Sequence, residues 1–247
     1  MAYGMGVLRT PLMNQYFPYS EVSNQPSFGG TYKEGEIDNT YSYFTINNVE
    51  FMVISLEESP RLEVLEWADK ITVENKGNKV IVTTYEYLNF DGNLINYEIQ
   101  DHLPFIGGST NGEEMWDLYV RKYENIAVVI AGYIGFPDLV YTKKVGDNGN
   151  VVTQILCDTQ FMDSDDYNNG SSQGVGMVMI LSFKKNSDEI KVNRYSIIRN
   201  QFYRAKNRYI DTMELTNKND DKVYKTKLQA LYDKCLTFNE IEYTQES

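Results

Sequence analysis

Two adjacent carboxylates, Glu57 and Glu58, stand at the end of an apolar run and could serve as an acid–base pair if one were held protonated. The chain has a single histidine, His102, with no serine–aspartate or cysteine partner that would make a nucleophilic set. Asp163-Ser164-Asp165-Asp166-Tyr167-Asn168-Asn169-Gly170 has the acidic spacing of a calcium loop. Asn168 fills its glycine position, Tyr167 its fifth position and Gly174 its terminal glutamate position, so the segment is expected to be a polar surface loop. Gly174-Val175-Gly176 is too short a glycine signal to cradle a phosphate, and Asn169-Gly170-Ser171 is formally a glycosylation sequon. Cys157 and Cys235 are too few and too far apart for a disulfide framework or a zinc knuckle; free thiols are expected, with a single bridge as the alternative.

The elements that must position these groups follow from local pattern. Residues 1 to about 40, rich in Gly, Pro, Ser and Asn, are expected to form an irregular arm. Tyr41–Phe44 and Glu50–Leu56 are expected as strands around Asn47-Asn48. Ser59-Pro60 then offers an N-cap and a first helical proline, and Leu62, Leu65 and Ala68 carry a helix to about Glu74. Val80–Thr84 is a β-branched strand. Asn111-Gly112 opens a second helix with Trp116, Tyr119, Val120 and Tyr123 on one face, and Ile126–Ala131 is the next strand. Helix then strand, twice over, predicts an α/β (α+β) fold with layered mixed sheets and flanking helices.

Leu139–Val145 and Val151–Cys157 flank the turn residues 146–150, and Val175–Lys184 and Ile190–Ile197 flank Asn186-Ser187-Asp188, so two hairpins are expected. The body is set at residues 41–216. Residues 217–247 are expected to be a polar tail whose short helix aligns Tyr224, Leu228, Leu231 and Cys235.

A net charge of −12 argues against nucleic acid or an anionic membrane as the main partner, because phosphate contacts need clustered cations. Arg194, Arg199, Arg204, Lys206 and Arg208 form a local basic stretch, expected to be a solvated face. No run approaches the roughly 20 apolar residues of a membrane-spanning helix. The opening residues lack the pattern of a secretion signal, so a cytoplasmic or virion-associated location is expected. Twenty tyrosines against 11 phenylalanines suit interfaces and sugar-binding surfaces, and equally the faces of β-sheets.

The segment MVISLEESPRLEVLEWADKI with KVIVTTYEYLNFDG resembles the calcineurin-like metallophosphoesterases. In that family a strand ends Leu-Glu, a helix carries Trp-Ala, and the next strand ends Thr-His-x-Tyr-Leu before Asp-Gly. NGEEMWDLYVRKYENIAVVIAGYIG is similar to the family's Asn-Gly-Glu-x-x-Trp helix and its strand ending Gly-His-x-His. MNQYFP, FGGTY, GNVVTQILCDTQ, MVMILSF and KVNRYSI continue the likeness, which covers roughly residues 12 to 200.

The resemblance implies that the C-terminal half of the family's sandwich is present. It puts Tyr85, Tyr133 and Gly135 where three metal-binding histidines stand in the family, and makes the Leu-Glu of Glu57 no metal ligand. Motifs supplying the family's other ligands would precede residue 12. Phenol keeps its proton to about pH 10 and replaces imidazole poorly as a donor to a divalent metal. The expectation is therefore no catalytic residue, no metal and no cofactor. It is a scaffold acting through protein partners or self-assembly, such as a phage virion or tail component. Tyr85, Tyr87, Tyr133 and Trp116 are candidate binding surface, with a glycan as one ligand. The alternatives are a hydrolase subunit that borrows its missing half from another chain, and a regulatory pseudoenzyme holding a phosphorylated ligand.

Overall fold

The computed structural model describes residues 13–96, 109–134, 139–159, 176–185, 189–198, 200–202, 207–209 and 237–239. Two short helices, α1 (Met13–Tyr16) and α2 (Tyr19–Ser23), lead into β1 (Phe28–Thr31), then β2 (Thr40–Ile46) and β3 (Val49–Ser55). β2 and β3 form the expected hairpin. Its two turn residues, Asn47 and Asn48, have φ of 53° and 66°, the left-handed backbone that a two-residue hairpin turn requires and asparagine tolerates. β1 was not expected. Gly29 and Gly30 are poor strand formers, but the ring of Tyr41 lies against them, and a Cβ would come within 2.4 and 2.8 Å of it.

α3 (Leu62–Glu74) crosses from β3 to β4 (Lys79–Thr83), and α4 (Gly112–Leu118) lies between β4 and β5 (Ile126–Ala131). β6 (Leu139–Val145) and β7 (Val151–Leu156) follow, and the strands order as β1-β2-β3-β4-β5-β7-β6 with β11 (Asn207–Tyr209) at the far edge. β3, β4, β5 and β7 run parallel at the centre; β1–β2, β2–β3 and β6–β7 are antiparallel, and β11 pairs parallel with β6. A second sheet combines β8 (Met177–Phe183), β9 (Glu189–Ser196), β10 (Gln201–Phe202) and β12 (Thr237–Asn239).

Strand alternation sorts the core into two faces. Met52, Ile54, Val80, Val82, Val129 and Leu156 meet Val64, Leu65, Ala68 and Ile71 of α3 and Met115 and Trp116 of α4. On the opposite face Phe51, Ile81, Val128, Leu139 and Ile155 pack against Ile190 and Val192 of β9 and Met179, Leu181 and Phe183 of β8. The result is helices, large mixed sheet and small sheet in three layers. This is the layered α/β architecture expected from the sequence.

Several local expectations are corrected. Ser59 does not cap α3: it is buried with φ 44°, and the helix starts at Leu62 after an extended Arg61. Residues 60 and 61 are held out of the helix by Ser109 and Thr110, since Arg61 bridges Ser109 and the Thr110 N–H and hydroxyl both donate to the Pro60 carbonyl (3.0 and 2.7 Å). The second helix stops at Leu118 and gives way to a 3-10 turn, Val120–Lys122. Asp147 N, Asn148 Nδ2 and Asn150 Nδ2 from the β6–β7 loop take the carbonyls of Arg121, Lys122 and Tyr123. Arg194 is no part of a solvated face: it shares the inward side of β9 with Ile190 and Val192 and is buried. The turn at residues 186–188 and the expected helix bearing Tyr224, Leu228, Leu231 and Cys235 lie outside the described residues. Among the described residues no helix is long and apolar enough to cross a membrane.

Candidate functional site

The four parallel strands end at one edge, and their pairing runs on past the strands themselves. Leu56 N donates to Thr83 O, Thr84 N to Ile130 O, Gly132 N to Tyr85 O and Cys157 N to Ala131 O, at 2.9 to 3.0 Å. The loops that follow, beginning at Leu56, Thr84, Gly132 and Cys157, therefore crowd together at the carboxyl edge. In open α/β sheets this edge is where ligands bind.

Glu57 is fully committed within its loop. Its two carboxylate oxygens receive Arg61 Nε and Nη2 at 2.9 and 3.1 Å, Asn39 Nδ2 donates to it at 3.1 Å, and its own N–H returns to Asn39 Oδ1 at 2.8 Å. A bidentate arginine holds a carboxylate ionised and oriented, so Glu57 anchors the loop rather than sharing a proton with Glu58. The carboxylate that does feel Glu58 is Glu86, which sequence reasoning missed. Glu86 is 1% exposed, and burial, reinforced by the charge of Glu58 and opposed by the Ser59 hydroxyl, pushes its pKa up to about 7. Its Oε1 has no hydrogen-bond partner. The signal was its place as the variable residue of Thr84-Tyr85-Glu86-Tyr87, a charged group between two aromatic ones.

Tyr85 and Tyr133 come together. Their ring centroids are 4.9 Å apart with the planes inclined at 49°. Tyr85 is 39% exposed, and its phenol is held above the ordinary tyrosine range by burial and then by Glu58, Tyr133, Asp158 and Glu86. Tyr133 has φ 70°, and Ile134 N–H donates to the Gly132 carbonyl at 2.9 Å across it. That is a tight three-residue turn of the strained hand for an L side chain.

Tyr87 and Trp116 are not surface residues. Tyr87 is fully buried and Trp116 is 4% exposed, both within the helix-side core. The Tyr87 carbonyl accepts Ile95 N–H at 3.0 Å and abuts Gly112, where a Cβ would stand 2.1 Å from it, so the 84–95 loop folds under α4 and takes Tyr87 inward. Trp116 is covered by Lys144, whose Nζ lies 4.6 Å from the ring centroid; burial lowers that ammonium to a pKa of about 8. Gly135, His102, the residue 163–170 loop, Gly174, Val175, the sequon and Cys235 lie outside the described residues, while Cys157 carries a free thiol.

A two-metal centre needs several imidazole and carboxylate donors around one point. At this edge the positions matched to two family histidines carry mutually packed phenols, one of them held above its usual pKa. Among the described residues no group of three His, Cys, Asp or Glu side chains could hold a metal ion. These residues do not fit the family's metal pair.

No protein-family model matches the chain. The chain is similar to the Bacillus subtilis (strain 168) "Uncharacterized protein YvnB", 22% identical over 211 residues, covering 83% of this chain and 14% of that protein. Among solved structures it is similar to Haemophilus influenzae NAD nucleotidase (NadN), with 11% identity and a TM-score of 0.29, over 82% of this chain and 39% of that one. The chain thus spans well under half of either protein's length.

Proposed function

We propose that this chain is a non-catalytic, calcineurin-like metallophosphoesterase relative that works as a structural or interaction component of a larger assembly. The observation that carries this is the Tyr85–Tyr133 contact. Two positions assigned to metal ligands by separate sequence motifs meet in space, and what meets there is a pair of aromatic rings. Phenolic hydroxyls that keep their protons near neutral pH neither hold a divalent cation strongly nor lower the pKa of a bound water. Folds outlast their chemistry, and the function then resides in the surfaces that remain.

The assembly, for which a phage virion or tail is our concrete form, accords with the acidic, tyrosine-rich composition. Hydrolysis of an aryl phosphodiester, assayed with and without chelator, tests the first half of the reading: chelator-sensitive turnover would sink it. Sedimentation equilibrium tests the second half, with a defined oligomer expected and a stable monomer at micromolar concentration counting against it.

A further inference from the structure

We infer that β8 is the edge through which two copies of this chain join, strand to antiparallel strand, about a two-fold axis at Ile180. This rests on the assembly reading proposed above and names its contact surface. β8 pairs with β9 through seven consecutive residue pairs without a bulge, and among the described strands none pairs with its other side. Every second residue of an edge strand aims its backbone N–H and C=O away from its one partner, a template for a further strand. The usual guards are missing, since Met177-Val178-Met179-Ile180-Leu181-Ser182-Phe183 carries neither charge nor proline. The other outer strands are short: four residues in β1, with a bulge, three in β11, and two and three in β10 and β12, which take the other side of β9. The outward face of β8 is apolar. Val178 and Ile180 are each 38% exposed, and Val178 stands across from Tyr195, whose ring meets Phe202 of β10 edge-on at 5.2 Å. Met179, Leu181 and Phe183 face the other way and pack on the large sheet.

The residues select a second copy and the antiparallel sense. A two-fold contact sets a surface against itself, so a strand bearing charges of one sign would repel its copy. β8 has none, which lets two chains of net charge −12 meet there. A foreign basic segment would be drawn to acidic side chains, and neither β8 nor its partner residues 190–196 on β9 include one. With the axis at Ile180, that residue faces its own copy, Val178 faces Ser182 and Met179 faces Leu181, so outward side chains meet outward ones and inward meet inward. The nearest charges beyond β8, Lys184 and Lys185, follow its end. Antiparallel pairing keeps the two copies of Lys184 roughly 27 Å apart, each opposite a Gly176 that has no side chain to obstruct it. Parallel pairing would bring them to within about 5 Å.

The test is sedimentation equilibrium of the full chain at up to about 100 µM. A seven-residue strand contact is at the small end of interface sizes, so a dimer with a dissociation constant on the order of 10 µM is expected. Ile180→Lys and Ile180→Glu each set like charges across the axis, and each alone should weaken association about fivefold or more. Their near-ultraviolet circular dichroism should match the parent, because the position is exposed. An equimolar mixture of the two should associate at least as tightly as the parent, since ammonium then faces carboxylate. Ile180→Cys, which adds no charge, should cross-link to its copy under mild oxidation well beyond the parent, and Val178→Cys, which faces Ser182, should not. A parent that associates while both charged variants do so equally well would overturn pairing at β8 and leave the assembly reading standing. A mixture that stays monomeric, or equal cross-linking of the two cysteine variants, would overturn the two-fold at Ile180. A parent monomeric throughout would overturn both this inference and the assembly reading.

Discussion

The rings of Tyr85 and Tyr133 lie 4.9 Å apart at the carboxyl edge of the parallel strands, one in the loop after β4 and the other in the turn after β5. Continued strand pairing, through the Gly132 N–H to the Tyr85 carbonyl at 3.0 Å, fixes their proximity in the backbone. The side chains then fill the space between loops with carbon. An edge that in a metalloenzyme would hold charged ligands and water is here an aromatic shelf with acidic flanks.

Glu86 makes the stability of this edge pH-dependent. Its carboxyl has an ordinary value of 4.5 and a folded value of about 7, so the folded chain binds the proton more tightly. The stability this gives is fully present below about 4.5 and is lost as the pH rises through about 7. Denaturant titrations of Glu86→Gln should match the parent near pH 4.5 and exceed it by about 2 kcal/mol at pH 8, a figure set below the full linkage value to allow for screening near the exposed Glu58. A constant difference across that range would refute the assignment.

Gly112 is where α4 meets the 84–95 loop. Its absent Cβ leaves room for the Tyr87 carbonyl, which would otherwise be 2.1 Å away, and Glu113 N–H donates to Ile95 O at 3.0 Å across the same contact. Gly112→Ala should cost about 2–4 kcal/mol by forcing helix and loop apart. Since that loop carries Tyr85 and Glu86, near-ultraviolet circular dichroism should change along with the denaturation midpoint.

Gln154 lies in the middle of the large sheet, between Thr142 on β6 and Val129 on β5, at 1% exposure. Neither Nε2 nor Oε1 has a hydrogen-bond partner. Gln154→Met keeps the approximate shape and removes two buried polar atoms, so unfolding free energy should rise by about 1–2 kcal/mol with an unchanged denaturant slope. A loss of stability would mean that the amide is satisfied by water or a ligand.

What could be foreseen from sequence was what rests on local pattern. The Asn47-Asn48 hairpin, the Leu62–Glu74 helix and the β-branched run beginning at Val80 emerged close to their expected bounds, because each carries its own periodicity or turn chemistry. What escaped depends on distant contacts. β1 needs the Tyr41 ring over two glycines, and Pro60 and Arg61 are drawn away from α3 by Thr110 and Ser109. The depth of Tyr87 and Trp116 was equally hidden: an aromatic side chain suits surface and core alike, and only the close approach at Gly112 and the cover from Lys144 decide between them. The family likeness singles out Tyr85 and Tyr133, while their contact depends on the Gly132 N–H pairing with the Tyr85 carbonyl. The position of Glu86 between two tyrosines marks it in the sequence, but its burial does not show there, because it follows from how the 84–95 loop folds beneath α4.

We propose that this edge holds no catalytic metal, and the metal content of the purified full chain measures that most directly. Inductively coupled plasma mass spectrometry should be run after incubation with excess manganese and zinc followed by gel filtration. Far less than one bound metal ion per chain is expected. One or two ions retained per chain, and released by Tyr85→Ala, would contradict it.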